Sequence, residues 1–115
     1  MSRIETIPAI GEIASYFRVN LGESPIWLPH LIMPEALGEK PQPGLYPVEV
    51  VSTDNVVFGI YEIIAGQKFP LWKLAWIKSP KEGNFVTPWA EQIIRKRDEK
   101  FYPILRPFYD RFFNN

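Results

Sequence analysis

Apolar residues at Ile10, Ile13, Ala14 and Phe17 recur at the i, i+3, i+4, i+7 spacing of one helical stripe, with Glu12, Ser15 and Arg18 between them. Thr6 is placed to cap such a helix and Pro8 suits its first turn, so the pattern predicts a helix over residues 8–19. Further on the period changes. Residues 47–53 and 56–64 are rich in β-branched and aromatic side chains, and Asp54-Asn55 between them tolerate a tight two-residue turn. In the register this implies, Val51 faces Phe58 and Glu49 faces Ile60, while Val48, Val50, Val57 and Tyr61 share the other face. Ala65-Gly66-Gln67 then turns the chain into a third strand, residues 69–77, whose alternation puts Trp72, Leu74 and Trp76 on one face and Lys73, Ala75 and Ile77 on the other.

Residues 79–84 read as a turn. Thr87, followed by Pro88 and then Glu91 in the first turn, signals the start of a helix that should run to about Phe101. Pro103 biases Tyr102 away from helical angles, so a stop or kink is expected there, with a last short helix over 107–113. Between the first helix and the strands lies a segment, about 21–44, in which Pro25, Pro29, Pro34, Pro41 and Pro43 recur too often for a long helix or central strand. Its apolar triplets Ile26-Trp27-Leu28 and Leu31-Ile32-Met33 suit an arm that covers core or docks on another protein, with one helical turn near Pro34-Glu35-Ala36-Leu37. The expected fold is a single α+β domain over residues 1–115: a three-stranded or slightly larger antiparallel meander, packed against an N-terminal helix and a kinked C-terminal helix.

Composition narrows the function. The chain has 115 residues and no cysteine, which removes disulfides, thiolate metal sites and a cysteine nucleophile. The N-terminal residues lack the apolar run of a secretory signal, and the nearly uncharged stretch 24–34 is too short and proline-broken to span a bilayer. A cytoplasmic location without a membrane partner is therefore expected. The formal net charge of zero hides a division: residues 1–67 hold three basic against eight acidic side chains, and residues 68–115 hold ten against five. Such asymmetry suits an acidic partner, or neutralisation of one half by the other within the fold.

Candidate chemistry is sparse. His30 is the one histidine, and no second histidine or cysteine exists to share a metal with it. Glu49 and Glu62 come closest to a carboxylate pair, though strand glutamates on a solvated face explain them more simply. Lys68, Lys73 and Lys78 sit beside turns or exposed strand positions rather than where a buried reactive amine would be. No phosphate-binding loop, nucleophile elbow or H-E-x-x-H motif occurs. The expectation is no catalytic residue, no cofactor and no metal.

Two binding readings are left. Residues 101–115 form an aromatic tail, and side chains of its kind concentrate at interface centres. Tyr102, Leu105, Arg106, Phe108, Tyr109, Phe112 and Phe113 are thus candidates for contact with a partner subunit or a second copy of the chain, as in an accessory subunit of a larger assembly. The alternative for these rings is a tail that folds back to close the core. Trp72, Lys73, Trp76 and Lys78, with Arg95, Lys96, Arg97 and Lys100, interleave rings and cations as a single-stranded nucleic-acid binder does. The competing account of Trp72 and Trp76 is a core packed under a helix.

Overall fold

The computed structural model describes residues 4–22, 37–38 and 40–113. Most of the proline-rich arm predicted for 21–44, with His30 and residues 34–36 of its helical turn, lies outside the described residues. Among those described, the strands are β1 (Ile4–Ile7), β2 (Tyr16–Gly22), β3 (Gly44–Ser52), β4 (Val56–Ile63), β5 (Leu71–Ser79) and β6 (Gly83–Val86). Two helices follow, α1 (Pro88–Lys96) and α2 (Tyr102–Phe113). The strands lie in sequence order in one mixed sheet. β2 and β3 run parallel, and every other neighbouring pair is antiparallel.

This corrects the predicted fold in two places. The N-terminal helix is absent. Gly11 takes φ +60°, and Ile10 and Ile13 exchange backbone N–H···O bonds of 3.1 and 3.0 Å across a tight turn, so the chain reverses where the helix was expected. The run Tyr16-Phe17-Arg18-Val19 then obeys period two. Tyr16 packs in the core cluster beneath the helices, and Phe17 and Val19 belong to the cluster on the opposite face. Aromatic and β-branched residues decide for strand, and the helical stripe was a coincidence of spacing. The sheet is also six-stranded and mixed, not an antiparallel meander of three or slightly more strands: β1 and β2 extend it on one side, with β2 parallel to β3, and Gly83–Val86 adds an edge strand beyond the predicted turn.

The β3–β4 register differs from the predicted one by two residues, with Glu49 opposite Phe58 and Val50 opposite Val57. A shift of two preserves the faces, so Val48, Val50, Val57 and Tyr61 do share one side, all buried. In β5 the predicted alternation breaks. Phe58 pairs with Trp76 but Gly59 pairs with Leu74, so Ala75 is an extra residue in a bulge. The bulge sends Trp76 to the helix side while Trp72 and Leu74 stay on the other. Gly59 fits the same place: a Cβ there would sit 2.6 Å from both the Lys73 carbonyl oxygen and the Trp72 ring.

Thr87 ties the helices to this bulge. Its hydroxyl accepts the Ala90 N–H as the N-cap of α1 and donates to the Leu74 carbonyl, and its own N–H donates to the Ala75 carbonyl. The helix ends sooner than predicted, at Lys96, with Arg97 in the left-handed region at φ 55°. Asp98 then starts the next turn, its Oδ1 accepting the Lys100 and Phe101 N–H groups. Pro103 falls in the first turn of α2, where no intrahelical donor is needed, and Pro107 is carried inside the helix. The predicted break at Pro103 is therefore displaced to Arg97. Under the helices lies an aromatic core: the Phe58 and Trp76 rings stack at 4.6 Å, Phe108 lies 4.7 Å from Phe58, and Tyr16 meets Phe108 edge-on at 5.0 Å.

Candidate interaction surface

The aromatic tail is chiefly the lid of this core. Leu105 and Phe108 are completely buried, and Tyr102, Tyr109, Phe112 and Phe113 are half-buried against the same cluster. Arg106 Nε donates to Asp110 Oδ2 at 3.1 Å, one turn away. Of the expected partner-contact residues, then, two are wholly internal and the aromatics give most of their area to the sheet.

The expected stacking platform is not assembled either. Trp76 is fully buried, its Nε1 without an acceptor among the described residues, and Trp72 lies on the opposite face over Gly59. Lys78 points its ammonium at the Phe112 carbonyl (3.0 Å) and over the Phe112 and Phe113 rings. Arg95, Lys96, Arg97 and Lys100 are exposed, as a binding role requires. Lys73 lies 5.7 Å from the centre of the Trp89 ring, which meets Phe101 edge-on.

Glu49 and Glu62 are buried rather than solvated, each with a cation of its own. Arg18 Nε donates to Glu49 Oε2 at 3.0 Å, and this bond raises the guanidinium further above its already high pKa. The Tyr16 hydroxyl accepts from both Arg18 and Arg111. Lys100 pairs with Glu62. Glu62 stands opposite Leu45, four residues along β3 from Glu49, which separates the carboxylates by roughly 13 Å at strand rise. That spacing is too wide for the paired-carboxylate chemistry considered above. Among the described residues no three of His, Cys, Asp and Glu gather as metal ligands, and no helix is long and apolar enough to cross a membrane.

One cleft, of about 340 Å³, lies between the β3–β4 and β5–β6 turns and Phe112. Its polar groups are engaged by their own turns: Ser52 Oγ bonds Asn55, Ser79 Oγ accepts the Glu82 N–H, and Asp54 pairs with Lys81. Nothing there converges on a ligand.

The opposite end of the sheet is different. Residues 64–70 connect β4 to β5, closed by Gln67 N–H to the Ile64 carbonyl and by Gly66 at φ +80°. Phe69, predicted inside a strand, is 72% exposed on this turn, and Leu71 at the start of β5 is 41% exposed. Pro70 carried the missed signal, since proline is confined to strand starts and edges and moves the beginning of β5 past Phe69. A groove of about 290 Å³ along this turn is lined by Pro41, Pro43, Ile63, Ile64, Lys68 and Pro70. Leu71 pairs with Glu62, whose carboxylate holds Lys100, so the α1–α2 junction sits beside this turn. Lys68 lies 5.6 Å from the centre of the Phe69 ring. Compared with protein-family models, curated proteins and solved structures, the chain has no match.

Proposed function

We propose that the chain is a non-enzymatic module that docks on another protein through the β4–β5 turn. The observation that carries this reading is Phe69, a large ring held in water at 72% exposure by a short turn between two central strands. Large apolar side chains exposed together, on a loop set by a rigid scaffold, are what interface centres use. Phe69, Leu71 and the proline-lined groove supply such a group. The aromatic tail, the first candidate from sequence, supports the module by closing its core.

Nuclease-treated pull-downs from host extract with the wild-type chain and with Phe69→Ala/Leu71→Ser test this. A stoichiometric protein retained by the wild type and lost by the folded double variant is the expected result. A partner retained equally by both overturns the reading. Single-stranded nucleic acid is a second reading, favoured by Arg95, Lys96 and Arg97, which are exposed and form no ion pair among the described residues. It has to do without Trp76, which is buried, and without a shared face for Trp72.

A further inference from the structure

We propose that the docking partner presents an acidic segment carrying an apolar side chain: its carboxylates meet Lys68, Lys73 and the α1–α2 junction, and its apolar group meets Phe69 and Leu71. This rests on the docking reading and names the chemistry of the occupant. The observations are of charge and contact. Lys68 and Lys73 have no acidic partner among the described residues, and each lies against a ring, Phe69 and Trp89 respectively. Lys100 holds the buried Glu62 while more than half of its own side chain is in water. Arg95, Lys96 and Arg97 are exposed at the end of α1.

Against these six cations stand four carboxylates, Glu62, Asp98, Glu99 and Glu91, the last exposed on α1 beside Arg95 and Lys96. Glu62 is buried and paired, and Asp98 Oδ1 already accepts two backbone N–H groups. Positive charge is therefore left over around an exposed apolar knob, and complementary potential selects an acidic surface. Phosphate backbones are disfavoured by two features. The Trp89 ring is already taken by Lys73 and Phe101, leaving Phe69 as the exposed ring beside aliphatic Leu71 and prolines. The net charge of the whole chain is zero, where nucleic-acid binders are commonly basic.

The test is fluorescence anisotropy with three labelled probes: a peptide alternating Glu or Asp with Leu and Phe, its counterpart with Lys at each acidic position, and oligo-dT. The acidic peptide should bind, weaken with salt, and shift the backbone amide resonances of residues 68, 69 and 71–73; the basic peptide should not bind. Lys68→Glu/Lys73→Glu should weaken binding by about tenfold or more while the fold persists. Preference for oligo-dT overturns the proposal and assigns a nucleic-acid surface. Failure of the acidic peptide to bind overturns the acidic chemistry and leaves the docking reading intact if Phe69→Ala/Leu71→Ser still loses its cellular partner. If that variant keeps its partner, the docking reading itself falls.

Discussion

The two ends of the sheet are made of similar residues used in opposite ways. At the end carrying the β3–β4 and β5–β6 turns, side-chain polar groups serve the chain: the Ser52 and Ser79 hydroxyls close turns, Lys81 meets Asp54, and Lys78 reaches the last turn of α2. At the end carrying the β4–β5 turn and the helix junction, Lys68 and Lys73 face rings without carboxylates, and Phe69 and Leu71 stand in water. A cleft exists at the first end and a knob at the second, yet the knob is the better candidate. Volume alone is a poor guide where the fold has already used the polar groups that a ligand would need.

The sharpest way to break this contrast is to remove one ring from each of the two aromatic regions. Phe108→Ala should lower unfolding free energy by about 3–5 kcal/mol, because the ring is fully buried between Tyr16 and Phe58. Phe69→Ala should change stability by at most about 0.5 kcal/mol while binding is lost. Urea titrations of the two variants check both; a costly Phe69→Ala would make the turn structural and remove the contrast.

Next in size is the pairing of charges. Lys100→Ala leaves Glu62 buried without its cation and should cost about 1–2 kcal/mol, less than a fully buried pair because Lys100 is itself half in water. Glu62→Gln in the same chain should recover part of the loss. At the other end Lys81→Ala removes an exposed pair and should cost no more than about 0.5 kcal/mol. Midpoints of chemical denaturation give the ordering, and equal costs would mean that the two ends use charge alike.

The smallest effect expected is alkaline. Burial raises the Tyr61 phenol above its usual pKa of 10.0. A group whose folded pKa is raised contributes its full stability below the unfolded value and loses it as pH climbs through the folded one. Thermal unfolding should therefore be insensitive to this group below pH 10 and fall above it, with a shallower fall in Tyr61→Phe. Equal slopes in the two proteins would show that Tyr61 does not set the alkaline limit.

Much of the sheet's centre was legible in the sequence because its signals are local. Alternation assigns Val48, Val50, Val57 and Tyr61 to one face, and a two-residue error in pairing leaves that assignment untouched. Thr87-Pro88 is a helix start that tertiary structure had no reason to override. The errors have a common cause in single residues that reset a period. Gly11 turns the predicted helix into a reversal, Ala75 inverts the face of Trp76, and Arg97 ends α1 a turn early by adopting left-handed angles. The parallel pairing of β2 with β3 leaves no trace in either strand, since each reads as an ordinary alternating strand. The candidate surface is half legible: the pattern of rings and cations singles out Lys73, Arg95, Lys96, Arg97 and Lys100 but not Lys68, and it points to Trp72 and Trp76 where Pro70 places the exposed ring at Phe69.

Tyr16 lies in the second strand and meets Phe108 and Arg111 in the last helix. During synthesis the strand is made early and its cover late. At about 5–20 residues per second, the 95 positions between Tyr16 and Arg111 occupy the ribosome for on the order of 5–20 seconds. Over that interval the aromatic side of the N-terminal hairpin waits without its lid, so the growing chain is most exposed to unwanted association just before α2 emerges.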